Sequence, residues 1–115
     1  MDDSILNTIK KMLGLDADYT PFDTDITVLI NSALMVLRQL GIGPSEGFTI
    51  TGRDETWSDF LGDSVAIEAA KAYVYLSVKS IFDPPQSGIA MDAIQRQMDE
   101  YVWRLNVEVD PGKEE

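Results

Sequence analysis

A small all-α domain is the fold class this sequence predicts, and three observations carry the prediction. Apolar residues recur at helical spacing through four separate stretches, period-two alternation is confined to one short piece, and glycine or proline stands between the stretches. The expected architecture is a single small domain of four main helices. It contains a long buried helix, a C-terminal antiparallel helical hairpin, and one irregular loop with a short strand. At 115 residues, 44% hydrophobic and 25% charged, the chain has enough apolar material for one modest core. Residues 1–106 are therefore read as one domain with an irregular loop at 41–62, and residues 107–115 as a flexible tail.

The first helix is predicted from Asp3 or Ser4 as cap. Ile5, Leu6, Ile9, Met12 and Leu13 fall on one face, Lys10 and Lys11 suit the last turn, and Gly14 ends it. A polar linker, LDADYTPFDTD, leads to a second helix capped by Asp23 or Thr24. Its stripe is Ile26, Leu29, Ile30, Ala33, Leu34, Leu37 and Leu40, and Gly41 closes it. The stretch GIGPSEGFTITGRDET at 41–56 holds four glycines and a proline around Phe48-Thr49-Ile50-Thr51, the one alternating piece. Trp57 to Leu61 adds one helical turn before Gly62.

The third long helix is expected from about Ser64 to Phe82. Its polar residues Ser64, Glu68, Lys71, Tyr75 and Lys79 make one narrow stripe, so other helices must cover the remainder. Pro84 and Pro85 cannot continue it and bias Asp83 away from helical dihedrals. Ser87 then caps a last helix with Met91, Ile94, Met98, Tyr101, Val102 and Leu105 on its inner face. So short a connection favours an antiparallel hairpin. The predicted core draws on Leu29, Ala33, Leu37, Ala70, Tyr73, Leu76, Ile94, Met98 and Leu105.

The residue inventory removes most catalytic chemistry. There is no cysteine and no histidine, which excludes thiolate nucleophiles, Cys/His zinc sites and imidazole acid–base steps. Starting a calcium loop at Asp16 places Pro21 where glycine is required and Thr27 where the bidentate glutamate belongs, so no metal site is expected. The glycines at 41, 43, 47 and 52 match no phosphate-binding motif. The reading is a non-enzyme without cofactors. The acidic N-terminus lacks the features of a signal peptide, and no apolar run is long enough for a membrane span. Twenty acidic against nine basic residues give a net charge of −11, which opposes binding to a phosphate backbone.

Trp103 breaks the pattern of the last helix. At 100° per residue it lies within about 20° of Asp92, at the centre of the polar face. A large aromatic there calls for a partner, either this chain's own loop or tail, or another molecule.

The run Phe82-Asp83-Pro84-Pro85 after a Tyr/Val/Leu-rich helix, followed by Met91, Gln97 and Trp103-Arg104-Leu105-Asn106, resembles the head-to-tail connector proteins of long-tailed bacteriophages, also called head-completion or adaptor proteins. The likeness is clearest over residues 63–106, and the stretch from Asp25 to Ala33 is similar to the family's second helix. The resemblance implies a structural subunit of a virion or prophage, placed at the head–tail junction and made in the host cytoplasm. It implies a homo-oligomeric ring of about twelve copies, with the portal protein above and a stopper or tail-completion protein below. DNA would pass through the lumen without sequence-specific binding, along a wall whose carboxylates repel phosphate. On this basis Trp103 and Arg104, with Asp99 or Glu100 as charge partner, are expected at the subunit interface. Phe48, Thr49, Ile50, Val107 and Val109 are expected to meet neighbouring rings. Two alternatives stand beside this reading: a small helical protein-interaction adaptor, which a gene neighbourhood of portal and tail proteins would argue against, and a small DNA-packaging subunit, which would need a basic face.

Overall fold

The computed structural model describes residues 3–62 and 66–109, with side chains as far as Leu105. The first helix, α1 (Ile5–Met12), starts where Ser4 takes extended dihedrals and its hydroxyl accepts from the Asn7 N–H at 3.2 Å. Gly14 ends the turn with φ +88, a conformation that a side chain would strain. The linker then carries the chain to α2 (Asp23–Gln39), which has no side-chain cap. Asp23, expected as that cap, is instead the first helical residue, because Lys10 claims its carboxylate at 2.7 Å. Lys10 is not a surface residue of the last turn but is fully buried, and its Nζ also donates to the Ala17 carbonyl at 3.0 Å. One ammonium thus joins α1, the linker and the start of α2.

No strand forms among the described residues. The one antiparallel bridge pairs Ser4 with Thr56, where the Ile5 N–H donates to Glu55 O and the Trp57 N–H to Asp3 O, each at 3.1 Å. It brings the start of α1 beside the start of α3 (Trp57–Leu61), where Thr56 and Asp59 form a reciprocal capping box. The short strand expected at Phe48–Thr51 is absent because a side chain replaces the missing neighbour. Asn31 of α2 donates through Nδ2 to the Ile50 carbonyl at 3.0 Å and accepts the Ile50 N–H through Oδ1 at 2.7 Å. Satisfied by one amide, that backbone has no need of a ladder.

Helix α4 (Ile67–Phe82) ends at Asp83, just before the two prolines. Its expected start at Ser64 lies outside the described residues. The Ser87 hydroxyl accepts the Ala90 N–H at 3.0 Å and opens α5 (Gly88–Val109). This helix continues beyond residue 106, so 107–109 are helical rather than tail, and 110–115 lie outside the described residues. At the closed end of the hairpin Phe82 meets Phe22 of the linker edge-on, ring centroids 5.2 Å apart.

The third long helix is the hub, packing along α2 on one flank and α5 on another. One continuous cluster joins Ile5 and Ile9 of α1, Ile26, Ile30, Ala33, Leu34 and Leu37 of α2, Trp57 and Phe60 of α3, and Ala70, Tyr73, Val74 and Val78 of α4, with Leu105 from α5. Of the expected core, Leu29 and Met98 are only partly buried at its edge, and Leu76 and Ile94 are buried apart from it. Ile42 and Ile50 plug the 41–56 loop into the same cluster. No helix among the described residues is long and apolar enough to cross a membrane.

Candidate interaction surfaces

No group of three or more acidic residues that could hold a metal ion occurs among the described residues. The features that invite function are surfaces instead. On α5, inner positions 91, 94, 98, 101, 102 and 105 face the body, which turns Trp103 outward with 66% of its surface exposed. Beside it the Arg104 guanidinium pairs with Glu100 at 2.6 Å and lies 5.6 Å from the centre of the Tyr101 ring. Asp99 is exposed one turn away. Burial, together with the negative charge of Asp99, pushes the Tyr73 phenol up. The structure therefore pairs Arg104 with Glu100 beside the exposed Trp103, while Asp99, also exposed, lies on the side of α5 nearer Tyr73. Ile89, two heptads before Trp103, is 83% exposed on the face that Trp103 occupies, and sequence reading missed it.

The residues expected to meet neighbouring rings divide. Thr49 is exposed, and Phe48 is half-buried with its ring 5.3 Å from that of Phe60. Ile50 is corrected: it is 2% exposed and held inward by Asn31, so its side chain is unavailable to another molecule. The side chains of Val107 and Val109 lie outside the described residues.

Between the outer side of α2 and the 46–49 loop runs a groove of about 530 Å³ lined by Val28, Asn31, Ser32, Met35, Arg38 and residues 46–49. Val28 and Met35 are 58% and 59% exposed. They were legible in principle, because seven-residue spacing puts both opposite the Ile26, Ile30, Ala33 and Leu37 stripe, which gives α2 a second apolar face. The loop wall is held in place by the Arg38 Nε, which donates to the Ser45 carbonyl at 3.0 Å, and by Glu55, which accepts from the Thr51 N–H and hydroxyl at 3.0 and 2.8 Å. Burial pushes the Glu55 carboxyl up, but the bonds from Thr51, its own N–H and Gly52 outweigh it and hold the group below the usual carboxylate range.

A family model described as phage connector protein matches residues 5–112, nearly the whole chain. No curated protein and no solved structure matches it. With an all-helical fold, no catalytic constellation in its sequence and apolar residues displayed on an outer helix, the chain belongs to the phage connector protein family.

Proposed function

We propose that this chain is the repeating subunit of a ring that joins the portal of a phage or prophage capsid to its tail and lets DNA pass through its lumen. Membership of a structural phage family supports a role in virion assembly. The observation that carries the finer reading is Trp103, an indole two-thirds exposed beside Glu100 and Arg104 on the outer side of α5. Exposed aromatics set in a charged rim are the usual anchors of protein interfaces. A ring contact is heterologous and needs two different faces per subunit. The α5 face supplies one, and the loop around Phe48 and Thr49, expected from the sequence to meet neighbouring rings, is reassigned in this reading to the second. The net charge of −11 suits a conduit from which DNA is repelled instead of held. The portal and a stopper or tail-completion protein are the partners in this reading, with no cofactor and no membrane.

The test is assembly. Purified protein, alone at high concentration and with the portal protein of its own phage, is followed by light scattering and imaged by electron microscopy. Closed rings, alone or on the portal, are the expected result. A subunit that stays monomeric under both conditions contradicts the proposal.

A further inference from the structure

Helices α2 and α5 lie against different flanks of α4, and each carries an apolar pair on the side turned away from it. On α2 the pair is Val28 and Met35, about 10 Å apart along the axis. On α5 the series Ile89, Arg96 and Trp103 advances by seven residues each time, drifting only about 20° per step, so it forms one stripe about 21 Å long. Seven-residue spacing on both is the pattern that lets two helices lie along one another.

The charges match in the same sense. Lys10, Lys71, Lys79 and Arg104 each have a carboxylate partner. Arg38 on the groove and Arg96 on the stripe form no ion pair among the described residues, and neither do Lys11 and Arg53 elsewhere on the chain. Glu46 lines the groove beside Arg38, and Asp99 stands one turn from Trp103. Each flank therefore offers an unpaired cation where the other offers an unpaired carboxylate.

We propose that copies of this chain join head to tail through these two flanks, the α5 stripe of one copy lying along α2 of the next. Trp103 sits in the groove against Val28, Met35 and Phe48, with Asp99 facing Arg38 and Arg96 facing Glu46. The inference rests on the ring reading and names the faces that make the ring. An α5-to-α5 contact is the poorer arrangement, since it sets Asp92, Asp99 and Glu100 of two acidic chains against each other and leaves the groove empty. A head-to-tail contact fills the groove at every joint and leaves no free face once the circle closes.

The absence of cysteine makes the test clean. Full-length Ser32→Cys, on the groove, and Glu100→Cys, one turn from Trp103, are treated with a short bismaleimide, separately, as a mixture and as the double variant. Light scattering records assembly in parallel, with portal protein present. The mixture should give a covalent dimer, the separate variants should not, and the double variant should give a ladder of multimers. Arg96→Glu should reduce that ladder at least tenfold, and adding Glu46→Arg should restore it. Dimers from Glu100→Cys alone, or assemblies that scatter light without any mixed cross-link, overturn the assignment of faces and leave the ring reading standing. Absence of assembly by every readout overturns the ring reading, and this inference with it.

Discussion

Helices α1 and α5 make opposite uses of their residues. In eight residues α1 buries Ile5, Leu6, Ile9 and even the ammonium of Lys10, whereas the 22-residue α5 buries only Ile94 and Leu105 among its described side chains and displays Ile89 and Trp103. The difference teaches where stability and function separate. The α1 end of the molecule is committed to its own core, whereas α5 leaves most of its described side chains outside it. The two tryptophans state the contrast most sharply, Trp57 having no exposed surface and Trp103 two-thirds of it.

The contrast breaks or sharpens with a graded series of substitutions. The largest effect is expected for Trp57→Ala, which opens a cavity in the main cluster and should cost about 3–5 kcal/mol in chemical denaturation. Lys10→Ala should follow at roughly 3 kcal/mol, since it strips the partner from the mostly buried Asp23 carboxylate and leaves the Ala17 carbonyl with Arg53 as its remaining donor. Ile30→Ala and Ile94→Ala remove the same atoms from the two regions. Ile30, in the continuous cluster, should cost about 4 kcal/mol and Ile94, outside it, about 2 kcal/mol. Equal losses would erase the distinction between body and outer helix.

A smaller effect is expected in alkali. The folded Tyr73 phenol titrates above its ordinary value of 10.0 because burial, and then Asp99, disfavour the phenolate. Its contribution to stability is complete below that value and is lost as pH rises through the folded pKa. Tyr73→Phe should flatten the decline of melting temperature above about pH 10, and an unchanged decline would show that this phenol does not couple to folding.

Much of the fold was legible in the residues. The helical stripes, Gly14, the Ser87 cap and the double proline fixed most element boundaries, because each acts through neighbours within one turn. What sequence reading lost depended on distant partners. Lys10 resembles any last-turn lysine until Asp23 and Ala17 are brought to it. Phe48-Thr49-Ile50-Thr51 alternates like a strand until the Asn31 amide takes the Ile50 hydrogen bonds. The groove was missed because the buried stripe of α2 hid the smaller Val28 and Met35 pair behind it, and because its other wall is a loop whose position no local pattern sets. Trp103 was found because its place on the polar face follows from helical geometry alone.

The decisive measurement is the oligomeric state of Trp103→Ser beside its thermal stability, read by sedimentation and calorimetry on the same sample. A change in unfolding free energy within the range of an ordinary surface substitution, about 0.5 kcal/mol, together with loss of the assemblies that the unsubstituted protein forms, is the predicted result. Assemblies that persist, or a domain that unfolds without the indole, would contradict the claim that this side of α5 is made for a neighbouring copy.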